Sequence, residues 1–198
     1  MTTKHLDIGC GGFPRNPYHR DETWAVDTRD MAGELSMSRP DIRYAQCNFV
    51  TDPLPFADHT FESVSAYDVI EHIPRQMYMN GAMAYPFINL MNEIYRVLKP
   101  GGLFLATIPG YPHPEAFQDP THVNIVTQRT AEYFSGSSAP ARMYGFNGNF
   151  KIVTNRFDVR NNYYDTNISR LKSSARRFHR RIFKSGLTHI CWEMMASK

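Results

Sequence analysis

A glycine-rich bend between two short apolar runs constrains this chain more than any other stretch. The residues are Leu6-Asp7-Ile8-Gly9-Cys10-Gly11-Gly12, and a second apolar run, Thr23-Trp24-Ala25-Val26, closes on Asp27. A strand, a glycine turn, a second strand and a carboxylate at its tip describe a half-site for a nucleoside. Glycines let the backbone approach a ligand that a Cβ would block. A carboxylate so placed accepts hydrogen bonds from two ribose hydroxyls. An ordinary tight turn in an α/β domain would carry the same residues, so the pattern needs support from the rest of the chain.

A dinucleotide fingerprint needs a third glycine three residues after the second. Counted from Gly11, that position is Pro14. Pro17 would break a helix begun at Pro14, so Phe13 to Glu22 reads as a loop or at most one turn. This disfavours a nicotinamide-dependent oxidoreductase with its diphosphate on a long helix N-terminus. It favours a nucleoside without phosphate. The 198 residues are 42 % hydrophobic and 13 % aromatic, enough for one globular domain over residues 1–198 and too apolar for a disordered chain. No stretch approaches the roughly 20 apolar residues of a membrane span, and no signal-peptide pattern precedes the first strand. Cys10, Cys47 and Cys191 are widely spaced and odd in number. That predicts reduced thiols and a cytoplasmic location, with neither a disulfide frame nor a zinc ribbon.

Short β runs alternate with helical or looped segments, which predicts a mainly parallel sheet. Strands are expected near His5–Ile8, Thr23–Val26, Arg43–Cys47, Phe61–Ala66 and Leu103–Thr107, and later near Lys151–Val159 and Thr188–Met195. Phe87, Leu90, Met91, Ile94, Val97 and Leu98 repeat at helical spacing, predicting a core helix over Pro86–Leu98 that Pro100-Gly101 stops. Ile108–Gly148 carries four prolines after Pro109, several aromatics and two histidines without a long apolar period. A lid-like insertion is expected there, over about 109–148. A basic helix follows near Ser169–Phe183. Seven Lys or Arg and no acid lie between Arg170 and Lys184, which reads either as a solvated face or as a dock for an anionic partner.

Five separated motifs now stand in order: the glycine run from Leu6 to Gly12, Asp27, Leu54-Pro55-Phe56 with Phe61, Asp68-Val69-Ile70-Glu71-His72-Ile73, and Glu93-Ile94-Tyr95-Arg96-Val97-Leu98-Lys99-Pro100-Gly101-Gly102. Together they resemble class I S-adenosylmethionine-dependent methyltransferases, specifically the large group with a type-11-like domain. The stretch from Glu71 through the insertion is also similar to uncharacterised members associated with bacterial surface-polysaccharide loci. The resemblance implies a Rossmann-like doubly wound α/β fold with a seven-stranded sheet, mostly parallel with the last strand antiparallel, here without an N-terminal helical cap. It implies S-adenosyl-L-methionine as cofactor. Gly9 and Gly11 would approach its methionine part with Asp7 beside the amino group. Asp27 would bind the ribose, Asn48 and Phe49 would flank the adenine, and the backbone near Asp68 would run under the methionine end. Substrate cover is then expected from Pro74–Tyr85 and Tyr111–Gly148, or from a neighbouring subunit in a homo-oligomer.

The cofactor of such an enzyme carries an activated methyl, so the protein must orient the acceptor and exclude water. A hydroxyl acceptor calls for a general base, for which histidine is suited. His72 follows Glu71 at the carboxyl end of the fourth strand, where open α/β sheets bind ligands. His122 lies in the insertion with Asp119 close by in sequence, and a carboxylate can orient an imidazole. Each of these histidines reads equally as a local hydrogen-bonding residue, and His113 more so. Metal is not expected, because the spacing of His113, Asp119 and His122 suits no single helix face. The expected function is O-methylation of a small molecule or a sugar. The competing reading is an inactive methyltransferase-like binding module that uses its basic helix to dock an anionic partner.

Overall fold

The computed structural model describes residues 2–165, 167–183 and 186–198. Seven strands form one sheet: β1 (Lys4–Ile8), β2 (Glu22–Asp27), β3 (Arg43–Gln46), β4 (Phe61–Tyr67), β7 (Leu98–Pro109), β8 (Phe150–Asp158) and β9 (His189–Ala196). Between them in the chain lie, among the described residues, a small hairpin, β5 (Met77–Met79) and β6 (Ala82–Ala84), and five α-helices. The helices are α1 (Ala32–Ser38), α2 (Pro86–Val97), α3 (Glu115–Gln118), α4 (Asn161–Tyr164) and α5 (Arg170–Phe183). The sheet runs β3-β2-β1-β4-β7-β9-β8. The pairs from β3 to β7 are parallel, whereas β9 is antiparallel to both β7 and β8. The doubly wound sheet with an antiparallel final strand is therefore present, and that strand is inserted between its neighbours.

Strand order reverses at β1. The chain steps outward through β2 and β3, returns to β4 on the other side of β1, and continues to β7. Such a switch opens a crevice at the carboxyl ends of the strands. Ile8, Asp27, Gln46 and Tyr67 end their strands along that edge. β1 is buried from His5 to Ile8, as a central strand covered on both faces must be.

The apolar stripe foreseen on α2 is the core: Phe87, Leu90, Met91, Ile94 and Val97 are buried with Phe61 and Phe104 of the sheet. Arg96 on the same helix ties down the preceding loop. Its guanidinium donates to the carbonyls of Leu54 and Phe56 and pairs with Glu93 and Asp58. The Leu54-Pro55-Phe56 motif is thus a strap over the helix.

The stretch 13–21 is a loop, as its prolines require. It covers the sheet face where a helix would otherwise lie. Tyr18 reaches across to donate to Glu193 Oε1 of β9 at 2.8 Å, and Arg20 Nε approaches Ser63 Oγ of β4 at 3.4 Å. β7 extends beyond the expected strand at both ends, because Lys99-Pro100-Gly101-Gly102 is already extended and pairs irregularly beside Phe61.

The insertion differs from a free lid. Val126, Ala131, Phe134, Ala139, Ala141 and Phe146 are buried in the main core, and Phe146 stacks on Phe150 of β8 at 6.1 Å. Only about 111–125 is left to cover the carboxyl edge of the sheet. That part is clamped from below: Val123 and Asn124 N–H both donate to the Glu71 carbonyl at 2.9 Å, and Asn124 Nδ2 donates to the Ile70 carbonyl at 3.0 Å.

Gly9 shows how tightly the bend is built. Its φ is +66°, and an added Cβ would stand 2.4 Å from Val69 Cγ2. Gly9→Ala should cost roughly 2–4 kcal/mol, combining left-handed strain with overpacking. Urea unfolding measures this, and Val69→Ala in the same chain should restore part of the loss. A neutral Gly9→Ala would show that the bend tolerates a side chain.

Candidate active site

The bend and the end of β2 are one hydrogen-bonded unit. Gly9 N–H donates to the Val26 carbonyl at 2.8 Å. Gly11, at φ +52°, donates its N–H to Asp27 Oδ2 at 2.9 Å. Arg29 N–H donates to Asp27 Oδ1 at 2.9 Å. Asp27 is 5 % exposed, and these donors fix its carboxylate at the mouth of the crevice. Oδ1 also accepts from the exposed Arg29 Nε at 3.3 Å, while Oδ2 keeps a lone pair open to a ribose hydroxyl. A Cβ on Gly11 would meet only the movable tip of Arg29, at 3.3 Å. Asn48 stands exposed just past β3, whose last residue pairs with Asp27, while Phe49 is packed into the core. The backbone bend, the carboxylate and the neighbouring β3 turn fit an adenosyl group.

Asp7 and Asp68 have tasks of their own in the fold. Asp7 Oδ1 accepts from Ser65 Oγ at 2.5 Å and Oδ2 from Arg15 N–H at 2.9 Å. Burial pushes its carboxyl up to about 7, although both donors pull the other way. Asp7 thus anchors the 13–21 loop to the sheet. Asp68 adopts φ +54°, a strained turn that sends its side chain towards the C-terminal wall. There it accepts from Tyr164 Oη at 2.7 Å, pairs with Arg160 Nε at 2.6 Å and faces His189 Nε2 at 3.3 Å. Burial alone would raise this carboxyl; His189, Tyr164 and Arg160 outweigh it and hold it below the usual range. Arg15 lies 4.1 Å from the Tyr164 ring centre and 4.9 Å from that of Tyr67, so α4 and the 13–21 loop close one side of the crevice.

On the other side, β4 runs into a short helical turn carrying Glu71 and His72, and the clamped insertion brings His122 against them. The His72 and His122 rings are 4.8 Å apart and edge-to-face. His122 Nε2 lies 4.0 Å from Glu71 Oε1. His122 Nδ1 sits 3.2 Å from the Ala116 carbonyl, which can only accept, so that nitrogen carries a proton. Thr121 Oγ1 donates to Asp119 Oδ1 at 2.7 Å and therefore accepts from His72 Nδ1 at 3.0 Å. Both imidazoles are thereby fixed with a free lone pair on Nε2. Glu71 is 1 % exposed, and neither carboxylate oxygen has a hydrogen-bond partner among the described residues. Burial, with the Asp68 carboxylate nearby, pushes it up to about 8. Glu71, His72 and His122 each offer a donor atom within 4.8 Å of the others, a set that could also hold a metal ion.

The pairing of Asp119 with His122 suggested by sequence is rearranged here. Asp119 serves His72 through Thr121, and the carboxylate nearest His122 is Glu71. His113 accepts from Glu115 N–H at 3.2 Å and caps α3, apart from the cluster. The sequence leaves Glu71 equally open to binding the acceptor or capping the next segment; its carboxylate makes no capping hydrogen bond among the described residues.

The family model Methyltransf_11, described as a methyltransferase domain, matches residues 6–106. A search of curated proteins found no match. Among solved structures, the fold is similar to a chain of the complex between the Haloferax volcanii Trm112 methyltransferase activator and a methyltransferase. That match has a TM-score of 0.63 at 15 % identity over 100 % of this chain and 84 % of that one. It is similar to the [4+2]-cyclase SpnF, with a TM-score of 0.59 at 14 % identity over 99 % of this chain and 75 % of the other. Phosphoethanolamine N-methyltransferase 1 of Haemonchus contortus, solved with phosphoethanolamine and S-adenosylhomocysteine, gives 0.62 at 9 % identity over 100 % of this chain and 39 % of that enzyme.

Folding raises the Glu71 pKa, so its contribution to stability is complete below the ordinary glutamate range and is lost as pH rises through about 8. Glu71→Gln keeps the size and cannot ionise. The unfolding free energy of Glu71→Gln minus that of the native chain should grow with pH, by at most about 1.4 kcal/mol per unit. Denaturant titrations across that range measure it, and a pH-independent difference would show that Glu71 does not titrate there.

Proposed function

Because this chain belongs to the Methyltransf_11 family of methyltransferase domains, we propose that it moves a methyl group from its cofactor, S-adenosylmethionine, to an oxygen of a small molecule or sugar. The observation that carries this reading is the Asp27 carboxylate, held by Gly11 and Arg29 N–H at the switch point of the sheet. Asp27 would take the ribose hydroxyls, the Gly9–Gly11 backbone would lie along the methionine part, and Asn48 and Phe49 would flank the adenine. Asp7 and Asp68 would act at the methionine end mainly by fixing the two walls. Bound there, S-adenosylmethionine would supply a methyl activated by its sulfonium for displacement by the acceptor oxygen.

The residues of the pocket would do the rest. His122 Nε2 would accept the acceptor hydroxyl's proton, with its Nδ1–H already given to the Ala116 carbonyl. His72, oriented by Thr121 and Asp119, would hold the same hydroxyl or share the proton. Glu71, neutral near pH 7 by virtue of its raised pKa, adds no competing charge. Two observations support a ring-bearing acceptor. Tyr85, Tyr133 and Tyr144 line a groove of about 410 Å³ with Arg75 and Arg129. Arg75, three residues past His72, donates to Asn124 Oδ1 at 2.7 Å and so joins that groove to the histidine pocket. Flat aromatic faces with arginines suit a sugar or other hydroxylated ring.

Two measurements test this. Calorimetry with S-adenosylmethionine and S-adenosylhomocysteine should give binding that Asp27→Asn weakens by about 10- to 100-fold, as expected for hydrogen bonds to a charged group. Unchanged affinity would remove the ribose assignment. His122→Ala should leave cofactor affinity intact and lower turnover on an accepted hydroxyl by about 10²- to 10⁴-fold. A full rate in that variant would end the base assignment. Cofactor binding without methyl gain on any hydroxylated acceptor would instead support the binding-module reading. Turnover that depends on an added divalent ion would reassign the Glu71, His72 and His122 donors as its ligands.

A further inference from the structure

We propose that α5 is an interfacial helix that seats this protein on an anionic lipid surface, a role that goes beyond methyl transfer and does not rest on it. At about 100° per residue, Leu171, Ala175, Phe178 and Ile182 fall in one stripe roughly 60° wide. That stripe faces solvent: Leu171 is 85 % exposed, Phe178 64 % and Ile182 55 %. An ordinary surface helix turns such a stripe to the core. Here the polar side is turned inward instead. Arg177 Nη1 pairs with buried Asp158 at 3.1 Å, Arg176 Nη1 donates to the Asn161 carbonyl at 3.0 Å, and Asn162 Nδ2 donates to the Ser173 carbonyl at 3.3 Å.

Three further cations flank the ridge, one of them, Lys172, 4.0 Å from Asp165. Arg170 and Arg181 stand about 90–110° to one side of it and Lys172 about 90° to the other. Arg170, Arg180 and Arg181 have no acidic partner among the described residues, and α5 itself contains no acid. Beneath Phe178 is a groove of about 520 Å³ whose lining includes Arg156, Arg177 and Arg181. The basic stretch of seven Lys or Arg noted in the sequence ends at Lys184, which lies outside the described residues.

An apolar ridge bordered by cations makes two demands at once, hydrocarbon and negative charge. An anionic lipid surface meets both: the ridge enters the acyl boundary while the long basic side chains reach the headgroups. Nucleic acid would call for charge and stacking rings and leave the aliphatic Leu171 and Ile182 unexplained. No helix among the described residues is long and apolar enough to cross the membrane, so the contact is with its surface. α4 grips α5 on one side and Asp68 on the other, so the docked helix would lie beside the catalytic end of the sheet.

The test uses the full chain, sedimented with vesicles of phosphatidylcholine alone or mixed with phosphatidylglycerol. Binding is expected to the mixed vesicles and not to phosphatidylcholine alone. Leu171→Ser/Phe178→Ser/Ile182→Ser should lower partitioning by more than about tenfold. Arg170→Gln/Arg181→Gln should lower it by about tenfold or more at low salt. The three apolar positions face solvent and the two arginines have no acidic partner among the described residues, and unchanged thermal unfolding will confirm that each variant folds. Absence of vesicle binding, indifference to phosphatidylglycerol, or full binding by the triple serine variant would overturn the proposal. So would tight binding to single-stranded RNA by a chain that ignores vesicles. No arm requires turnover, so a failure of the methyl-transfer reading leaves the outcome interpretable.

Discussion

A buried hydrogen-bond chain beneath the glycine bend is the constraint on which the rest of the structure depends. Ser63 Oγ and His5 Nδ1 are 2.8 Å apart, His5 Nε2 and Ser65 Oγ are 2.8 Å apart, and Ser65 Oγ donates to Asp7. The protons run one way. Because Ser65 gives its hydrogen to Asp7, it must accept from His5 Nε2, and His5 Nδ1 must accept from Ser63. Burial, with Arg20 nearby, pushes the imidazole down to about 3, so His5 stays neutral and the chain keeps that direction. Unsatisfied, these groups would each cost about 1–3 kcal/mol in the sheet interior. Satisfied, they lock β1 to β4 in one register, and through Asp7 and Arg15 they position the loop that replaces a helix.

The two sides of the crevice are electrostatically different because of what this register presents. On the cofactor side, the buried Asp27 carboxylate accepts from two backbone N–H groups. On the far side, Glu71 is buried without donors, which favours the neutral form. Between them, Asp68 is kept charged by Arg160, Tyr164 and His189. Carboxylates within one short stretch of sheet edge thus hold different protonation states, set by their hydrogen bonds and not by their chemical type. A likeness to a [4+2]-cyclase with this fold is a reminder that the sheet alone does not select a reaction.

Strand positions were legible because the parallel core strands are short apolar runs bounded by glycine, proline or acid. α2 was legible because its stripe repeats over three turns. The looped 13–21 segment followed from Pro14 and Pro17. Other elements left weaker traces. Asn80 and Gly81, both at positive φ, make a primed two-residue hairpin turn, a signal present in the dipeptide although the flanking strands are only three residues long. The second half of the insertion carries its core aromatics at irregular spacing, since each packs on a different partner, and so it showed no period. Thr121 as the link between Asp119 and His72 left no mark, because the residues that meet there are 49 apart in the chain.

By itself the sequence determined the sheet, the glycine bend, the acid at the end of β2 and the family to which the chain belongs. These depend on local rules: which residues permit a positive φ, which alternate or repeat, and which stop a helix. Only the tertiary structure decided the direction of each polar side chain. It turned Asp68 towards α4, set the buried Glu71 carboxylate beside two imidazoles, and faced the apolar stripe of α5 outward. Those choices are made by partners distant in the chain competing for the same donor, acceptor or buried surface, a competition that no local pattern records.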